Sequence, residues 1–163
     1  MHTSIQSTLN LLQMRTDYAG AEVSMGEEGP YIKAQFRLRN GALSNELIID
    51  LMVASGGAIL RVCDLGIGKV PLRIDGDALC EFLNWKREMG RFLCVSNSNQ
   101  SIWYMAHQFL DNDRIPASAL NRMIDEALLA GLLSEEVLKV AAEIIAEQAA
   151  TGENFVVSPA ALN

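Results

Sequence analysis

Apolar and polar residues alternate most regularly between residues 32 and 39. Because successive side chains of a strand point to opposite faces, this alternation predicts a strand with one buried face. Two further runs, at 46–54 and 58–64, flank the Ser55-Gly56-Gly57 turn and indicate a hairpin. The other predicted strands are runs at 91–96 and 102–110, and a short run at 21–25 is compatible with one more.

Apolar positions three to four residues apart predict a helix before the strands and another between them. The N-terminal helix is predicted over Thr3–Tyr18 and the inserted helix over Asp75–Met89. Asp75 and Asp77 are both candidate N-caps of the inserted helix, because a carboxylate at that position accepts hydrogen bonds from free backbone amides.

The C-terminal part of the chain predicts two helices rather than one. Pro116 is suited to the start of the first helix, and Gly131 is expected to end it, since glycine is frequent where helices stop. Ser134 is the predicted N-cap of the second helix, which covers residues 134–148.

These elements place the chain in the α+β class. Hairpins dominate and strand–helix–strand alternation is missing, so we expect an antiparallel sheet of about five strands with an N-terminal helix, one inserted helix and two C-terminal helices. A length of 163 residues suits one domain, which we assign to residues 1–150. Residues 151–163 are expected to form a loosely held tail.

Composition narrows the class of protein. Half of the residues are hydrophobic and 20% are charged, which is typical of a folded domain and not of a disordered chain. The sequence has no apolar run approaching the roughly 20 residues needed to span a bilayer. Its first residues lack the basic start and apolar core of a signal peptide, so we expect a cytoplasmic protein with no membrane partner.

The net charge of −7 is unevenly distributed along the chain. The stretch from Asp125 to Glu153 contains seven acidic residues and one lysine, a net charge of −6. The only basic cluster consists of Lys33, Arg37 and Arg39, which we interpret as a solvated strand face rather than as a phosphate-binding surface. Nucleic acid is therefore not an expected partner.

No residue pattern in the sequence indicates an active site. The segment Gly66-Ile67-Gly68-Lys69 lacks the spacing and the hydroxyl residue of a phosphate-binding loop, and we expect a plain loop after a strand. The spacing of Cys63, Cys80 and Cys94 suits neither a disulfide framework nor a metal cluster, so we interpret them as buried apolar residues. One of them could instead be a redox or nucleophilic thiol. We expect neither a cofactor nor a bound metal.

His107 shares a predicted strand face with Trp103, and we interpret it as a partly buried histidine with a local hydrogen bond rather than as a general base. One alternative remains open for the whole chain. It is a small-molecule sensor or an enzyme whose site assembles in space around His107, Cys94 or Asp75.

Between Leu72 and Leu133 the sequence resembles the YbjN family, which is often described as a bacterial sensory transduction regulator. The resemblance rests on the order of elements and on apolar positions in the segments Leu79-x-x-Phe82-Leu83-Asn84, Arg91-Phe92-Leu93-Cys94-Val95 and Ile102-Trp103-Tyr104-Met105. With the preceding elements it covers residues 5–133, and the helix from Ser134 looks like an addition.

The resemblance implies a fold similar to that of type III secretion chaperones, and a homodimeric, non-enzymatic protein that binds other proteins. We therefore expect a protein-binding or chaperone-like regulatory module of unknown client. Trp85 and Trp103 are candidates for a partner or dimer contact, because tryptophan is enriched at interfaces, and the alternative for both is a place in the core. A protein-binding module should have an exposed apolar patch or a sheet edge open to a partner strand.

Overall fold

The computed structural model describes residues 2–85, 87, 89–96, 100–111 and 114–151, with the side chains of all of these except residues 2, 3, 54, 141, 142, 144, 145, 148 and 149. The elements in this part of the chain are α1 His2–Gln13, β1 Tyr18–Gly26, β2 Gly29–Phe36, β3 Leu47–Ala54, β4 Gly57–Val70, α2 Gly76–Asn84, β5 Gly90–Ser96, β6 Gln100–Leu110 and α3 Ala117–Thr151. The predicted tail beyond Thr151 lies outside the described residues.

The six strands form one antiparallel sheet in the order β1-β2-β3-β4-β6-β5. The predicted hairpin of β3 and β4 is confirmed, and its turn places Gly56 at φ 85°, a conformation that favours glycine. The α+β class is also confirmed, but within the described residues the sheet has six strands rather than five and is followed by one helix rather than two. The additional strand is β1, which extends the expected run at 21–25 in both directions.

The strand residues of the main hydrophobic core lie on one face of the sheet, and the helices pack on that face. Helix α1 contacts β1 and β2, α2 contacts β5 and β6, and α3 contacts β4, β5 and β6. The largest fully buried side chains are Tyr104, Phe36, Phe92, Leu12, Ile32, Leu47, Ile49, Leu60, Ile102, Leu120, Met123 and Ile124. In the part of the chain that the structure describes, no helix covers the opposite face.

Helix α1 ends at Gln13 rather than at Tyr18, because the chain turns there. The backbone amides of Arg15 and Tyr18 donate to the carbonyl oxygens three residues earlier, those of Leu12 and Arg15. The Arg15 guanidinium then binds Asp17 across the turn, with Nε 2.9 Å from Oδ1 and Nη2 2.8 Å from Oδ2. This local ion pair stabilises the turn and lets β1 begin at Tyr18.

Helix α2 is bounded by side-chain hydrogen bonds to the backbone. As predicted, Asp75 is its N-cap: Oδ1 of Asp75 accepts hydrogen bonds from the amides of Asp77 and Ala78, each at 3.1 Å. The helix ends at Asn84 rather than at Met89. The Asn84 side chain binds the backbone of β5, so the last turn of α2 is attached to the sheet edge.

Strand β4 includes residues 66–69, so the loop expected there is wrong. A register shift between Asp64 and Gly68 inserts extra residues opposite β6, and this bulge interrupts the alternation that marks a strand in the sequence. The Asp64 carboxylate stabilises the bulge by accepting the Gly66 N–H at 2.8 Å. Asn45 Nδ2 donates both to Asp64 and to the Gly66 carbonyl oxygen.

The two predicted C-terminal helices are one continuous helix, α3. Ser134, the expected N-cap, is fully buried inside the helix, and its Oγ donates to the Gly131 carbonyl oxygen at 2.8 Å. At Gly131 the helix passes over Asp64, and a Cβ atom at residue 131 would lie 3.5 Å from Asp64 Oδ2. Glycine inside a helix costs about 1 kcal/mol relative to alanine, a cost that the packing of the fully buried Ala127 and Ala130 outweighs.

Glu126 connects α3 to the last two strands. Its Oε1 accepts hydrogen bonds from the Tyr104 hydroxyl at 2.6 Å and from the Gly90 N–H at 3.0 Å. Burial, and then the hydrogen bond to Glu126, raise the pKa of Tyr104, which keeps the hydroxyl protonated as a donor. Gly90 permits this close approach, because a Cβ atom at residue 90 would overlap the Tyr104 hydroxyl.

We predict that Gly90→Ala lowers the free energy of unfolding by about 1–3 kcal/mol, because the added methyl group displaces Tyr104 from Glu126. The matched control is Gly20→Ala in β1, where a Cβ atom would meet no other atom within 4 Å. The control should be neutral or slightly stabilising. Urea denaturation of the three proteins measures the difference, and equal effects of the two substitutions would contradict the packing described for Gly90.

We also predict that Asp64 makes stability fall as pH rises. Asp64 is 2% exposed, and its burial raises the pKa of the carboxyl, although hydrogen bonds from Gly66 and Asn45 oppose this. The folded protein then holds the proton more tightly than the unfolded chain, so the free energy of unfolding should decrease from about pH 4 upwards until the folded carboxyl has ionised.

Asp64→Asn removes the titrating group. The free energy of unfolding of the unmodified protein should therefore fall, relative to that of this variant, over the same pH range. Denaturation at a series of pH values measures that difference. The exposed Asp111, replaced by Asn, is the control and should show no such trend. A difference for Asp64→Asn that does not change with pH would show that the carboxyl is not held in its protonated form by burial.

Candidate partner-binding surfaces

One edge of the sheet is open. Strand β1 pairs with β2 on one side, and no further strand of the described residues pairs with its other side. Val23 is 48% exposed and Met25 is 75% exposed on this strand. An edge of this kind presents unpaired backbone N–H and C=O groups to solvent, so it is able to pair with a strand of another chain.

The opposite edge, β5, is partly covered by the end of α2. The Asn84 side chain donates from Nδ2 to the Phe92 carbonyl oxygen at 2.9 Å and accepts the Phe92 N–H on its Oδ1 at 2.6 Å. An amide side chain in this position satisfies the backbone of the edge strand much as a neighbouring strand would. The two edges of the sheet therefore differ in their capacity to accept a partner strand.

The sheet face opposite the helices carries apolar side chains in cross-strand pairs. Trp103 of β6 lies opposite Leu93 of β5, and Phe109 of β6 lies opposite Ile59 of β4. Leu93 is 41% exposed and Phe109 is 51% exposed, whereas Trp103 is half-buried. This open face is therefore a second surface on which apolar contacts with another molecule are possible.

An ion cluster lies beside these apolar pairs on the open face. Arg61 Nε is 3.0 Å from Asp50 Oδ1, and Nη2 is 2.5 Å from Asp50 Oδ2 and 3.1 Å from Glu28 Oε2. The hydrogen bond to Asp50 is the main cause that raises the pKa of Arg61. Burial opposes this rise, and the contact with Glu28 adds to it. The two carboxylates neutralise the guanidinium, so the depression of about 360 Å³ beside it does not attract an anion.

A groove lies along α3, on the side that faces the segment after β2. It has a volume of about 640 Å³. Leu129 and Leu132 of α3 contribute its apolar wall and are 52% and 44% exposed. Arg37 and Arg39 line the opposite wall, and neither forms an ion pair with a described residue. The groove therefore combines exposed leucines with two guanidinium groups that are available to an anionic partner.

Arg15 binds two acids that line this groove. Besides Asp17, its guanidinium binds Asp125 of α3, with Nη2 2.7 Å from Oδ1, and its Nη1 is 3.1 Å from Asn121 Oδ1. Burial lowers the pKa of Arg15, but the hydrogen bonds to Asp17 and Asp125 outweigh this and raise it overall. Because Asp17 and Asp125 are already paired, they do not compete for Arg37 and Arg39.

The structure places the two predicted contact tryptophans on different elements. Trp85 is the C-cap of α2 and is 71% exposed. Trp103 is half-buried on the open face of β6, so neither residue lies in the helix-covered core. They do not form a common surface with the α3 groove, and their role in a partner contact stays a prediction.

The residues proposed for an assembled active site are not brought together. His107 lies on the open face of the sheet, directly opposite Arg61 of the neighbouring strand, and it is exposed rather than partly buried as predicted. Cys94 lies on the helix side, 3.7 Å from Gln100 Oε1, and Asp75 caps α2. None of these three residues lines the pockets described above.

The cysteines do not form an obvious reactive group. Cys63 and Cys80 are buried, as predicted, whereas Cys94 is half-buried. Burial raises the pKa of the Cys63 thiol to about 12 and that of the Cys80 thiol to about 12, so both are protonated at neutral pH. Among the described residues, no group of three or more His, Cys, Asp or Glu side chains could hold a metal ion.

The predicted basic strand face is wrong in part. Lys33 lies on the open face of β2, where it binds Glu22 at 3.4 Å and Glu46 at 3.8 Å. The hydrogen bond to Glu22 raises the pKa of Lys33. Arg37 and Arg39 follow the end of β2 and line the α3 groove instead, so the three cations do not form one surface.

Sequence reasoning expected an exposed apolar patch or an open sheet edge, but it identified neither β1 as that edge nor the leucines of the groove. Helical spacing places Leu129 and Leu132 outside the buried stripe of α3, so their exposure could have been predicted from the sequence. The exposure of Val23 and Met25 had no such signal, because it depends on which strand occupies the edge.

Within the described residues, no helix is long and apolar enough to cross a membrane. The chain matches no protein-family model, no curated protein and no solved structure in comparisons with each of these sets.

Proposed function

We propose that this chain is a non-enzymatic, chaperone-like module that binds an extended segment of another protein as an additional strand on β1. The observation that carries the proposal is the difference between the two sheet edges. No described strand pairs with the outer side of β1, whereas Asn84 binds the backbone of Phe92 on the edge of β5. An antiparallel edge strand binds an extended peptide through backbone hydrogen bonds, which require no particular client sequence.

The side chains of β1 indicate what such a client would carry. Val23 and Met25 share one face of the strand, and Glu22 lies on the other face beside Lys33. Cross-strand pairs contribute about 0.2–1 kcal/mol each, so apolar residues beside Val23 and Met25 would add to the backbone hydrogen bonds. A Lys or Arg beside Glu22 would be favoured over an acidic residue, because Glu22 is 65% exposed at its side chain.

The resemblance noted in the sequence supports the same class of function, because it implies a protein that binds other proteins. The alternative of an enzyme or a small-molecule sensor has no comparable support. His107 and Cys94 point to opposite sides of the sheet, and Asp75 is used as a helix cap. Neither the absence of catalysis nor the homodimer that the resemblance implies has been tested, and both stay predictions.

We predict that replacing both Val23 and Met25 by Lys weakens peptide binding about tenfold or more, since two apolar pairs are lost and the added charges oppose strand addition. Peptides would first be selected on the unmodified protein from a displayed library of random dodecapeptides. Their affinities for both proteins would then be measured by fluorescence anisotropy. Hydrogen exchange should show that bound peptide protects the amides of residues 18–26.

The control protein carries Val53→Lys and Leu72→Lys, which add the same charge at residues 78% and 75% exposed away from the β1 edge. It should bind the selected peptides as tightly as the unmodified protein. Equal loss of binding in both variants, protection confined to other strands, or failure to select any peptide would contradict strand addition at β1.

A further inference from the structure

The last part of α3 continues beyond the sheet. Leu138 packs against Gly68, where a Cβ atom would overlap the leucine side chain, and β4 ends two residues later at Val70. Gly131 lies beside Asp64 and Leu138 lies beside Gly68, so α3 runs in the same direction as β4. At 1.5 Å per residue, residues 139–151 extend the helix about 20 Å beyond Leu138. The described side chains in this extension are all exposed, namely Lys139, Val140, Glu143, Ala146, Glu147, Ala150 and Thr151.

The described side chains of this extension are exposed and add little to its stability. Its helical state depends on propagation from the packed part of α3. Glu143 and Glu147 are also separated by one turn and repel each other, and the last turn contains no basic residue to interact favourably with the helix C-terminus. Val140 is 38% exposed on this extension. The extension is therefore complementary to a surface that supplies apolar contacts and cations.

The groove beside the first half of the same helix supplies both. Leu129 and Leu132 are the exposed apolar residues of its wall, and Leu43 lies close to its inner end at 54% exposure. Arg37 and Arg39 lie across the groove without an ion pair to any described residue. An occupant that combines apolar and acidic side chains at helical spacing fits this groove by charge and by hydropathy.

We propose that the occupant of the groove is the α3 extension of a second copy of this chain, in a symmetric dimer with the two α3 helices antiparallel. The groove and the extension lie in the first and second halves of one helix. Antiparallel pairing therefore places each extension against the groove of the other copy, and two identical contacts form. Glu143 and Glu147 of one copy lie near Arg37 and Arg39 of the other.

The distribution of charge favours a second copy over an unrelated partner. The chain supplies the acidic, partly apolar helix itself, since Glu143 and Glu147 are the exposed acids of the extension and Val140 is its partly exposed apolar residue. The contact uses neither Val23 nor Met25, so it stands independently of client binding at β1. Because the arginine–glutamate contacts are near the surface, salt is expected to weaken the dimer.

The test uses two charge-reversal variants of the full chain. The groove variant carries Arg37→Glu and Arg39→Glu, and the helix variant carries Glu143→Arg and Glu147→Arg. In a dimer of either variant alone, both contacts bring like charges together. In a mixed dimer, one contact has exchanged charges and the other is unmodified, so both are attractive.

Analytical ultracentrifugation of the unmodified chain should show a dimer. Each variant alone should have a dissociation constant raised at least about tenfold, since several exposed ion pairs of 0.2–1 kcal/mol become repulsive. Native mass spectrometry of the mixture should show the mixed dimer as the main dimeric species. Circular dichroism checks that each variant is folded. The control protein carries Glu81→Arg and Asp111→Arg, both exposed and remote from the groove, and should remain a dimer.

A monomeric unmodified chain at micromolar concentration would overturn the proposal. So would variants that dimerise normally, a mixture that forms no mixed dimer, or a control that also dissociates. Peptide binding at β1, measured on the monomeric variants, should persist. A failure of the dimer is therefore distinguishable from a failure of strand addition.

Discussion

An antiparallel sheet has two faces, and the described residues of this chain supply helices for only one of them. The side chains of β2, β4 and β6 that form the core point to the side of α1, α2 and α3, where the largest residues are fully buried. The other face relies on apolar pairs that each include one exposed residue, and on the Arg61 ion cluster. The candidate surfaces of the described residues follow from this one-sided packing, since the open face, the β1 edge and the outer side of α3 are what the helices leave uncovered.

Two polar contacts and one close approach determine where α3 lies on the sheet. Arg15 attaches the first half of α3 to the turn between α1 and β1. Glu126 of α3 accepts hydrogen bonds from Tyr104 and Gly90. Asp64 of β4 lies beneath Gly131 of α3. Hydrogen bonds of partly buried charged groups are stronger and more directional than apolar contacts, so they set the position of the helix along its axis. That position brings Leu129 and Leu132 beside Arg37, and it carries the acidic end of the helix past β4.

Local patterns predicted most of the elements because they report burial directly. The alternation in β2, the strand β3 and the Asp75 cap of α2 are confirmed. The errors occurred where a contact distant in sequence outweighs a local signal. The bulge at Asp64 disrupts the alternation of β4 but is stabilised by Asn45, and packing against the sheet carries α3 through Gly131 and Ser134. A local pattern contains no information about such contacts.

The candidate surfaces were less predictable than the fold. By itself the sequence determined the α+β class, the main strands and the concentration of negative charge in the C-terminal helix, because these depend on residue type and spacing. Only the tertiary structure decided that β1 is the open edge, that Asn84 covers β5, and that Arg37 and Arg39 face the leucines of α3. Strand order and side-chain exposure arise from pairing between segments far apart in the chain, and no spacing within a single segment records which segments will meet.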